Sequence, residues 1–281
     1  MVNVNGCLVA KEKATISIFN RGFNYGDSVF ETLRVSFGKI LFLEDHYFRL
    51  MASMRILRME IPMNFTLEYI ENQIMQTIDS YDLLNSSYRV KFTVYRDSQG
   101  LYLPHKNDIG YIITSNNLDK SNYHLSIDPY TIDIYKDHFI AADLLSTLKS
   151  NNRVINTIGS IYAKENNLNN CLLLNTQKHV IEALNGNLFL VNKNIIKTPV
   201  LSDGCIKGVM RKQLIDIINT MSDYEIEEGS ISTFELQRAD EVFITNVIQG
   251  IQPVSGYRKK SYRYEVAENL IEKLNLRIRL S

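Results

Sequence analysis

The chain has 281 residues, of which 45% are hydrophobic and 22% are charged, a composition typical of a soluble globular protein with one large or two ordinary domains. Basic and acidic residues both number 31, so the net charge is zero, which excludes a nucleic-acid binder that depends on bulk positive charge. The N-terminus lacks a signal-peptide core and no run approaches about 18 apolar residues. We therefore expect a cytoplasmic protein without a membrane-spanning segment.

The first part of the chain alternates strand and helix signals. Strands are predicted over the segments 2–9 (VNVNGCLV), 39–44 (KILFLE) and 88–96 (YRVKFTVYR), and the segment DIGYIITSNN (108–117) ends this part of the chain. Apolar residues at helical spacing predict helices over 46–57 and 66–81. In the segment 88–96, apolar and polar residues alternate, which indicates a strand with one buried face. These elements predict an N-terminal α+β domain over residues 1–116.

A polar stretch, SNNLDKS at 115–121, is the best linker candidate. We place the linker at 117–124 and a second α+β domain at 125–281. Predicted strands of this domain lie at 171–175, 179–183, 188–192 and 195–199, and a further predicted strand ends at Asn246. Predicted helices lie at 153–167, 209–221 and 264–274, and Ser232 and Glu235 have capping-box spacing. The fold class is therefore α+β in two domains, and a cleft between domains is the usual ligand site.

Most familiar catalytic motifs are missing from the sequence. It contains no GxSxG, GxGxxG or P-loop. The five histidines have no metal-ligand spacing, and the three cysteines are too widely spaced for a disulfide framework or a zinc site. We expect reduced thiols and no metal, which leaves lysine chemistry as the main candidate.

Six segments stand out together, in this order: NRGFNYGDSVFETLRV (20–35), EDHYFRL (44–50), LKSNNR (148–153), LLLNTQKHVIEALNGNLFLV (172–191), KTPVLSDGCIKGVMR (197–211) and ADEVFITNVIQGIQPV (239–254). They resemble, in the same order, segments of the class IV (fold-type IV) pyridoxal 5'-phosphate (PLP) enzymes. This family contains branched-chain aminotransferases, D-amino acid aminotransferases and aminodeoxychorismate lyases. The resemblance implies a smaller N-terminal α+β domain, a larger β-barrel-like C-terminal domain with helices, PLP as cofactor, a small-molecule substrate and a homodimer.

The resemblance assigns the central chemistry to Lys149, within LKSNNR. A lysine taken alone is usually a solvated surface cation, and the surrounding motifs favour the catalytic reading. In the family this lysine forms a Schiff base with the cofactor aldehyde, and its amine later moves a proton on and off the substrate carbon. Glu182 matches the family glutamate that keeps the pyridine nitrogen protonated. An apolar strand follows Glu182, which indicates that its carboxylate is buried. A buried carboxylate needs a partner such as the protonated pyridine nitrogen.

The cofactor phosphate requires a cation and backbone donors. Arg49 matches the family arginine in HxxRL and offers a forked donor. A helix that starts after Gly208 would point its N–H groups and positive dipole end at the phosphate. Met210 stands where the family usually has a threonine. The further cofactor contacts implied by the resemblance are Asn187, Val209, Met210, Asn246 and Val247.

Four residues are candidates for substrate contacts. A strand over SVFETLRV would place Phe30, Thr32 and Arg34 on one face, with Glu31 and Leu33 on the other. Phe30 and Thr32 align with pocket positions of the family. Arg96 ends a predicted strand near the place where the family often has an arginine for the substrate carboxylate, and Arg153 belongs to the KxxNR pattern.

Three activities share this scaffold, and the fold does not decide among them. The turn NVIQG differs from the GTA-like turn expected in a branched-chain aminotransferase. Arg96-Asp97-Ser98 lacks the histidine expected in a D-amino acid aminotransferase. FETLR, KxxNR and ITNxxxGIxPV are more similar to 4-amino-4-deoxychorismate lyases, although RDSQGLYLP departs from the usual lyase loop. The sequence favours this lyase, with an amino acid transaminase that uses 2-oxoglutarate as the alternative and a non-catalytic binding protein as a minor one.

Overall fold

The computed structural model describes residues 1–78, 86–126 and 128–280 of the chain. They form two compact units. Unit 1 comprises Met1–Asn122 together with Lys149–Asn152, and unit 2 comprises Tyr123–Leu148 and Arg153–Ser281. The ranges 1–116, 117–124 and 125–281 stay a prediction of the sequence. The observed division differs from them most at Lys149–Asn152, a segment that groups with the N-terminal unit.

An antiparallel sheet with strand order β2-β1-β6-β5-β3-β4 organises unit 1. Its strands are β1 (Val2–Val4), β2 (Cys7–Val9), β3 (Ser28–Ser36), β4 (Lys39–Ile40), β5 (Ser87–Arg96) and β6 (Ile109–Leu118). Its helices are α1 (Arg21–Tyr25), α2 (Leu43–Ile56) and α3 (Leu67–Thr77). The two first residues of the predicted linker, Asn117 and Leu118, belong to β6.

One face of the central strands carries the apolar core of unit 1. Val29, Leu33 and Val35 of β3 are buried in one cluster with residues of α2 and α3. Side chains alternate across a strand, so Phe30, Thr32 and Arg34 lie on the opposite face, as the sequence pattern predicts. Glu31 shares the helix-covered face with the core residues.

Two strand predictions in unit 1 are wrong. The segment 39–44 is not one strand, because β4 ends at Ile40 and α2 begins at Leu43. Glu44 and Asp45 occupy the first turn of this helix, where the helix dipole favours negative charge. The segment 2–9 is a hairpin, since Asn5 (φ 51°) and Gly6 (φ 88°) form the turn between β1 and β2. An Asn-Gly pair is the usual signal for such a turn.

The predicted helix 66–81 corresponds to α3, which ends at Thr77. Its last predicted residues, 79–81, lie outside the described residues. The predicted strand 88–96 is confirmed as β5 within one residue, and the segment 108–117 lies largely on β6.

Unit 2 contains two five-stranded sheets, with orders β12-β11-β10-β13-β14 and β16-β15-β7-β8-β9. Its strands are β7 (Thr131–Ile134), β8 (Asn170–Leu174), β9 (Val180–Ala183), β10 (Asn187–Asn192), β11 (Ile195–Thr198), β12 (Glu225–Glu228), β13 (Glu241–Asn246), β14 (Gly250–Pro253), β15 (Gly256–Tyr257) and β16 (Lys260–Ser261). Its helices are α4 (Val154–Glu165), α5 (Val209–Ile218), α6 (Thr233–Arg238) and α7 (Glu265–Leu280).

One apolar cluster of unit 2 contains residues from both of its sheets. It contains Leu172 and Val180 from one sheet and Leu188 and Ile244 from the other. The mixed helix-and-sheet architecture confirms the predicted α+β fold class. The capping box predicted at Ser232 and Glu235 is present at the start of α6. Within the described ranges, no helix is both long and apolar enough to cross a membrane.

The start of α7 depends on a buried carboxylate. Glu241, 3% exposed at the beginning of β13, accepts hydrogen bonds from the backbone N–H groups of Val266 and Ala267 at 2.9–3.3 Å. These N–H groups belong to the first helical turn and have no partner within the helix. Burial raises the pKa of Glu241. The carboxylate therefore joins the sheet to α7.

We predict that Glu241→Ala destabilises the protein by about 1–3 kcal/mol, because it leaves buried N–H donors without acceptors. Thermal unfolding should show a melting temperature lower by several degrees. Glu268→Ala, on the exposed side of the same helix, is the control and should change the melting temperature little. Equal melting temperatures for the two variants would contradict this role of Glu241.

Candidate active site

Lys149 is attached to the beginning of β3 by backbone hydrogen bonds. The N–H of Phe30 donates to the Lys149 carbonyl (2.8 Å), and the N–H of Asn151 donates to the Ser28 carbonyl (3.1 Å). The segment around Lys149 thus adds a short antiparallel pairing to β3. The Asn152 side chain donates to the Gly26 carbonyl (3.4 Å). A lysine between predicted elements of the sequence is therefore held by β3 of unit 1.

The Phe30 ring lies next to two ammonium groups. The Nζ of Lys149 is 4.5 Å from the ring centroid, and the Nζ of Lys91 is 4.8 Å from it. Lys91 pairs with Thr32 across β5 and β3, so both predicted pocket residues, Phe30 and Thr32, have this lysine as a neighbour. Burial, with a contribution from Arg89, lowers the pKa of Lys91. Lys91 was not predicted as a site residue. Alternation along β5 predicts which face Lys91 lies on, but it does not predict that β5 pairs with β3.

Arg49 is held by a buried carboxylate of the same unit. Its Nε donates to Glu31 Oε1 (2.7 Å) and its Nη2 to Glu31 Oε2, so the pair is bidentate. His46 Nδ1 lies 2.7 Å from Glu31 Oε2. Burial alone would raise the pKa of Glu31, but Arg49 and His46 lower it to about 2. Arg49 is thus joined to β3 by an ionised partner that the sequence analysis did not single out.

In unit 2, Glu182 and Asn187 hold one residue, Ile206, through the two peptide groups that flank it. Glu182 Oε2 accepts from the N–H of Ile206 (2.9 Å), and Asn187 Nδ2 donates to the Ile206 carbonyl (2.8 Å). Both side chains are at least nine-tenths buried. Glu182 lies on β9 and Asn187 begins β10, and a tight turn closed by the hydrogen bond from the Ala183 N–H to the Gly186 carbonyl (2.9 Å) explains their spacing in the sequence. The clamp fixes the loop that leads into α5.

The beginning of α5 fits an anion. Gly208 is the N-cap and, having no side chain, leaves the first N–H groups of the helix without a side-chain cap from that position. A Cβ at Gly208 would lie 1.9 Å from Asn187 Oδ1, so only glycine fits beside that clamp. Thr245, paired with Asn187 across β10 and β13, has a buried hydroxyl without a hydrogen-bond partner in the described part of the chain. Donors and an unused hydroxyl together suit a phosphate.

The other predicted phosphate residues lie at the same end of unit 2. Val209 and Met210 form the first turn of α5, and both side chains are buried. The Met210 thioether is therefore part of the core, and its backbone N–H is the group that an anion could meet. Asn246 Oδ1 accepts from the N–H groups of Ile248 and Gln249 and so shapes the turn after β13. The Val247 carbonyl accepts from the Tyr123 hydroxyl (2.7 Å).

Arg96 and Arg153 brace the chain. Arg96 is 7% exposed and donates to Asp27 (2.8 Å), Asn107 (2.6 Å) and the Leu57 carbonyl (2.6 Å). These contacts favour a structural role, and we leave Arg96 out of the proposed substrate site. Arg153 Nη2 donates to the carbonyl of Leu148, the residue before Lys149. Over the ranges that the structure describes, no cluster of His, Cys, Asp and Glu could hold a metal ion.

Comparisons with known proteins agree on one family. The profile described as amino-transferase class IV matches residues 28–257. An aminodeoxychorismate lyase of Vibrio harveyi is 25% identical, over 86% of this chain and 87% of its own length. A Methanocaldococcus jannaschii protein, provisionally named a branched-chain-amino-acid aminotransferase, is 26% identical over 90% of this chain and 86% of its own.

The fold has solved counterparts in the same family. The branched-chain amino acid aminotransferase of Thermobaculum terrenum, in its PLP form, superposes with a TM-score of 0.83 at 20% identity, covering 97% of this chain and 91% of that one. The profile match extends from β3 to β15 and includes Lys149, Glu182 and the start of α5. The chain therefore belongs to the class IV aminotransferase family and is an enzyme of that family.

Proposed function

We propose that the chain is a PLP-dependent 4-amino-4-deoxychorismate lyase, which eliminates pyruvate from its substrate and leaves 4-aminobenzoate. The observation that carries this proposal is the pair of ammonium groups, from Lys149 and Lys91, within 5 Å of the Phe30 ring. One of them is the family's reactive lysine. The second suits an additional anionic group on the substrate.

The residues present fit PLP. The uncapped start of α5 and the unpartnered Thr245 hydroxyl suit its phosphate, and Arg49 supplies a forked cation. The buried Glu182 carboxylate suits its pyridine nitrogen. When bound, PLP supplies an aldehyde that combines with an amine and a ring that withdraws electrons from the neighbouring carbon. We infer that these residues hold the cofactor.

Lys149 has two tasks in this proposal. It binds the cofactor covalently, and its amine moves a proton at the substrate carbon next to the amino group. Both tasks need the amine in a fixed place, because proton transfer requires hydrogen-bond reach. The pairing of residues 149–151 with β3 supports this, as does the hydrogen bond from Arg153 to the preceding carbonyl.

The substrate side of the sheet is positively charged. Cross-strand partners on this face of β3 and β5 are Phe30 with Thr93, Thr32 with Lys91, and Arg34 with Arg89. Three of these six residues are cations and none is acidic. Aminodeoxychorismate carries two carboxylates, and a carboxylate gains a charge-assisted hydrogen bond from an ammonium group. An aliphatic side chain gains nothing from Lys91, which disfavours a branched-chain amino acid as the main substrate.

An amino acid transaminase is the second candidate, because an aminotransferase stands among the similar proteins. Its acceptor, 2-oxoglutarate, also carries a second carboxylate that Lys91 could bind. The two reactions share the lysine and the first proton transfer, and they differ in what leaves the substrate. A direct comparison of products therefore separates them.

We also propose a cytoplasmic homodimer. The family resemblance implies the dimer, and unit 1 exposes several large apolar side chains that would gain from burial. They are Ile18, Phe19, Phe23, Leu101, Tyr102 and Leu103. The thiols of Cys171 and Cys205 are free and buried, which suits a reducing compartment.

We predict that the PLP-loaded protein converts 4-amino-4-deoxychorismate into pyruvate and 4-aminobenzoate in equal amounts. Lys149→Ala should abolish the reaction and the cofactor's absorbance, whereas Lys164→Ala, an exposed lysine on α4, should keep both. A parallel assay supplies D-alanine or leucine with 2-oxoglutarate and measures glutamate. Transamination without elimination would contradict the lyase. A colourless protein that is inactive in both assays would favour a non-catalytic binding protein.

We further predict that Lys91→Met raises KM for aminodeoxychorismate about 10- to 100-fold, since a hydrogen bond to a charged group contributes about 1.5–3 kcal/mol. Lys91→Arg, which keeps the charge, should raise it less. Steady-state kinetics at saturating PLP provides the measurement. An unchanged KM in Lys91→Met would show that Lys91 does not recognise the substrate.

A further inference from the structure

Unit 1 contains a buried carboxylate to which the proposed reaction gives no task. Glu31 is 2% exposed and lies on β3 between Phe30 and Thr32, with its side chain on the helix-covered face. His46 and Arg49 are three residues apart on α2 and so share one side of the helix. Both contact this one carboxylate. The strand whose other face forms the proposed substrate side is thus linked to the cation proposed for the phosphate.

The contact fixes the plane of the Arg49 guanidinium. Glu31 receives Nε and Nη2, which are the donors of one edge of the fork. A guanidinium is planar and rigid, so binding along this edge sets the direction of the adjacent edge, formed by Nη1 and Nη2. That edge is a second fork of the kind that binds a phosphate in a bidentate manner. A point cation on a flexible stem would have no such preset direction.

The charges of the cluster favour this arrangement. Glu31, with a pKa of about 2, is ionised at neutral pH. Burial lowers the pKa of His46 although Glu31 opposes this, so the imidazole is neutral and donates Nδ1–H to Glu31. A neutral histidine orients the carboxylate without competing for its charge. The full charge of Glu31 therefore acts on Arg49.

His46 also lies in the field of the reactive lysine. The positive charges of Arg49 and Lys149 both contribute to the lowered pKa of His46. His46 is 1% exposed, and its Nε2 has no hydrogen-bond partner among the residues that the structure describes. With Nδ1 protonated, Nε2 is an acceptor, a state that nearby positive charge favours. The histidine thereby has one orientation and one tautomer.

From this geometry we propose that Glu31 is a positioning residue, which holds the Arg49 guanidinium in the orientation that binds the cofactor phosphate, and that His46 in turn holds Glu31. This inference rests on the proposed function, since it needs Arg49 to contact PLP. It goes further by assigning a task to two residues that touch neither cofactor nor substrate.

The test compares two ligands that differ only in the phosphate. Apoenzymes of the wild type, Glu31→Gln, Arg49→Lys and the double variant are titrated with PLP and with pyridoxal, and binding is followed by absorbance. We expect Glu31→Gln to raise the Kd for PLP about 10- to 100-fold, which is the effect on metal affinity of losing a residue that orients a metal ligand. The Kd for pyridoxal should change by less than about threefold, as expected for sites that are not coupled. The double variant should bind PLP no more weakly than Arg49→Lys alone. Glu241→Gln, a second buried carboxylate, is the matched control and should change neither Kd.

Other results would overturn the inference. If the role of Glu31 were merely structural, Glu31→Gln would raise the Kd for PLP and for pyridoxal equally, or would change neither. Its effect on the Kd for PLP would then add to that of Arg49→Lys. Selective loss of PLP affinity in Arg49→Lys without loss in Glu31→Gln would overturn this inference alone. A wild type that binds no PLP would overturn the proposed function, and the inference with it.

His46 gives a measurement that does not depend on the folding of a Glu31 variant. His46→Asn keeps an N–H donor near the place of Nδ1, whereas His46→Leu removes it. We expect His46→Leu to raise the Kd for PLP selectively and His46→Asn to retain most of the affinity. Equal affinities in the two variants would overturn the assigned task of His46.

Discussion

Two backbone hydrogen bonds between β3 and residues 149–151 are the constraint on which unit 1 depends. They make a distant lysine a neighbour of Phe30, so the amine that we propose as reactive and the proposed pocket residues share one strand as support. Alternation along the same strand sends Glu31 to the opposite face, where it binds Arg49. In the proposed site, one strand thereby faces the substrate on one side and carries the phosphate cation's partner on the other. A shift of one residue in its pairing would exchange the two faces.

Unit 2 uses a single residue, Ile206, in a comparable way. The peptide groups of Ile206 are bound by Glu182 through the N–H and by Asn187 through the carbonyl. Gly208 follows at once as the N-cap of α5, in a space that admits no side chain. The carboxylate proposed for the pyridine ring and the helix proposed for the phosphate are therefore coupled through three consecutive residues. This explains why the proposed cofactor site combines Glu182, Asn187 and Gly208.

The sequence predicts those parts of the fold that depend on local patterns. The strand 88–96, the capping box of α6 and the start of a helix after Gly208 are all present. It also predicts the family, since six motifs occur in order. What it does not predict depends on pairing between distant segments. The place of Lys149 beside β3 and the neighbourhood of Lys91 and Phe30 follow from long-range register, which hydrophobic periodicity does not encode. The substrate contact of Arg96 stays a prediction of the sequence; the structure shows its donors on carbonyl and carboxylate oxygens of other segments, which no local pattern indicates.

The most direct test of the account is to identify the residue that carries the cofactor. Borohydride reduction of the PLP-loaded protein makes the bond between lysine and cofactor permanent, and mass spectrometry of its peptides then locates the label. The account predicts a phosphopyridoxyl group on the peptide that contains Lys149 and on no other lysine peptide. A label on a different lysine, or no label after the protein has been saturated with PLP, would contradict it.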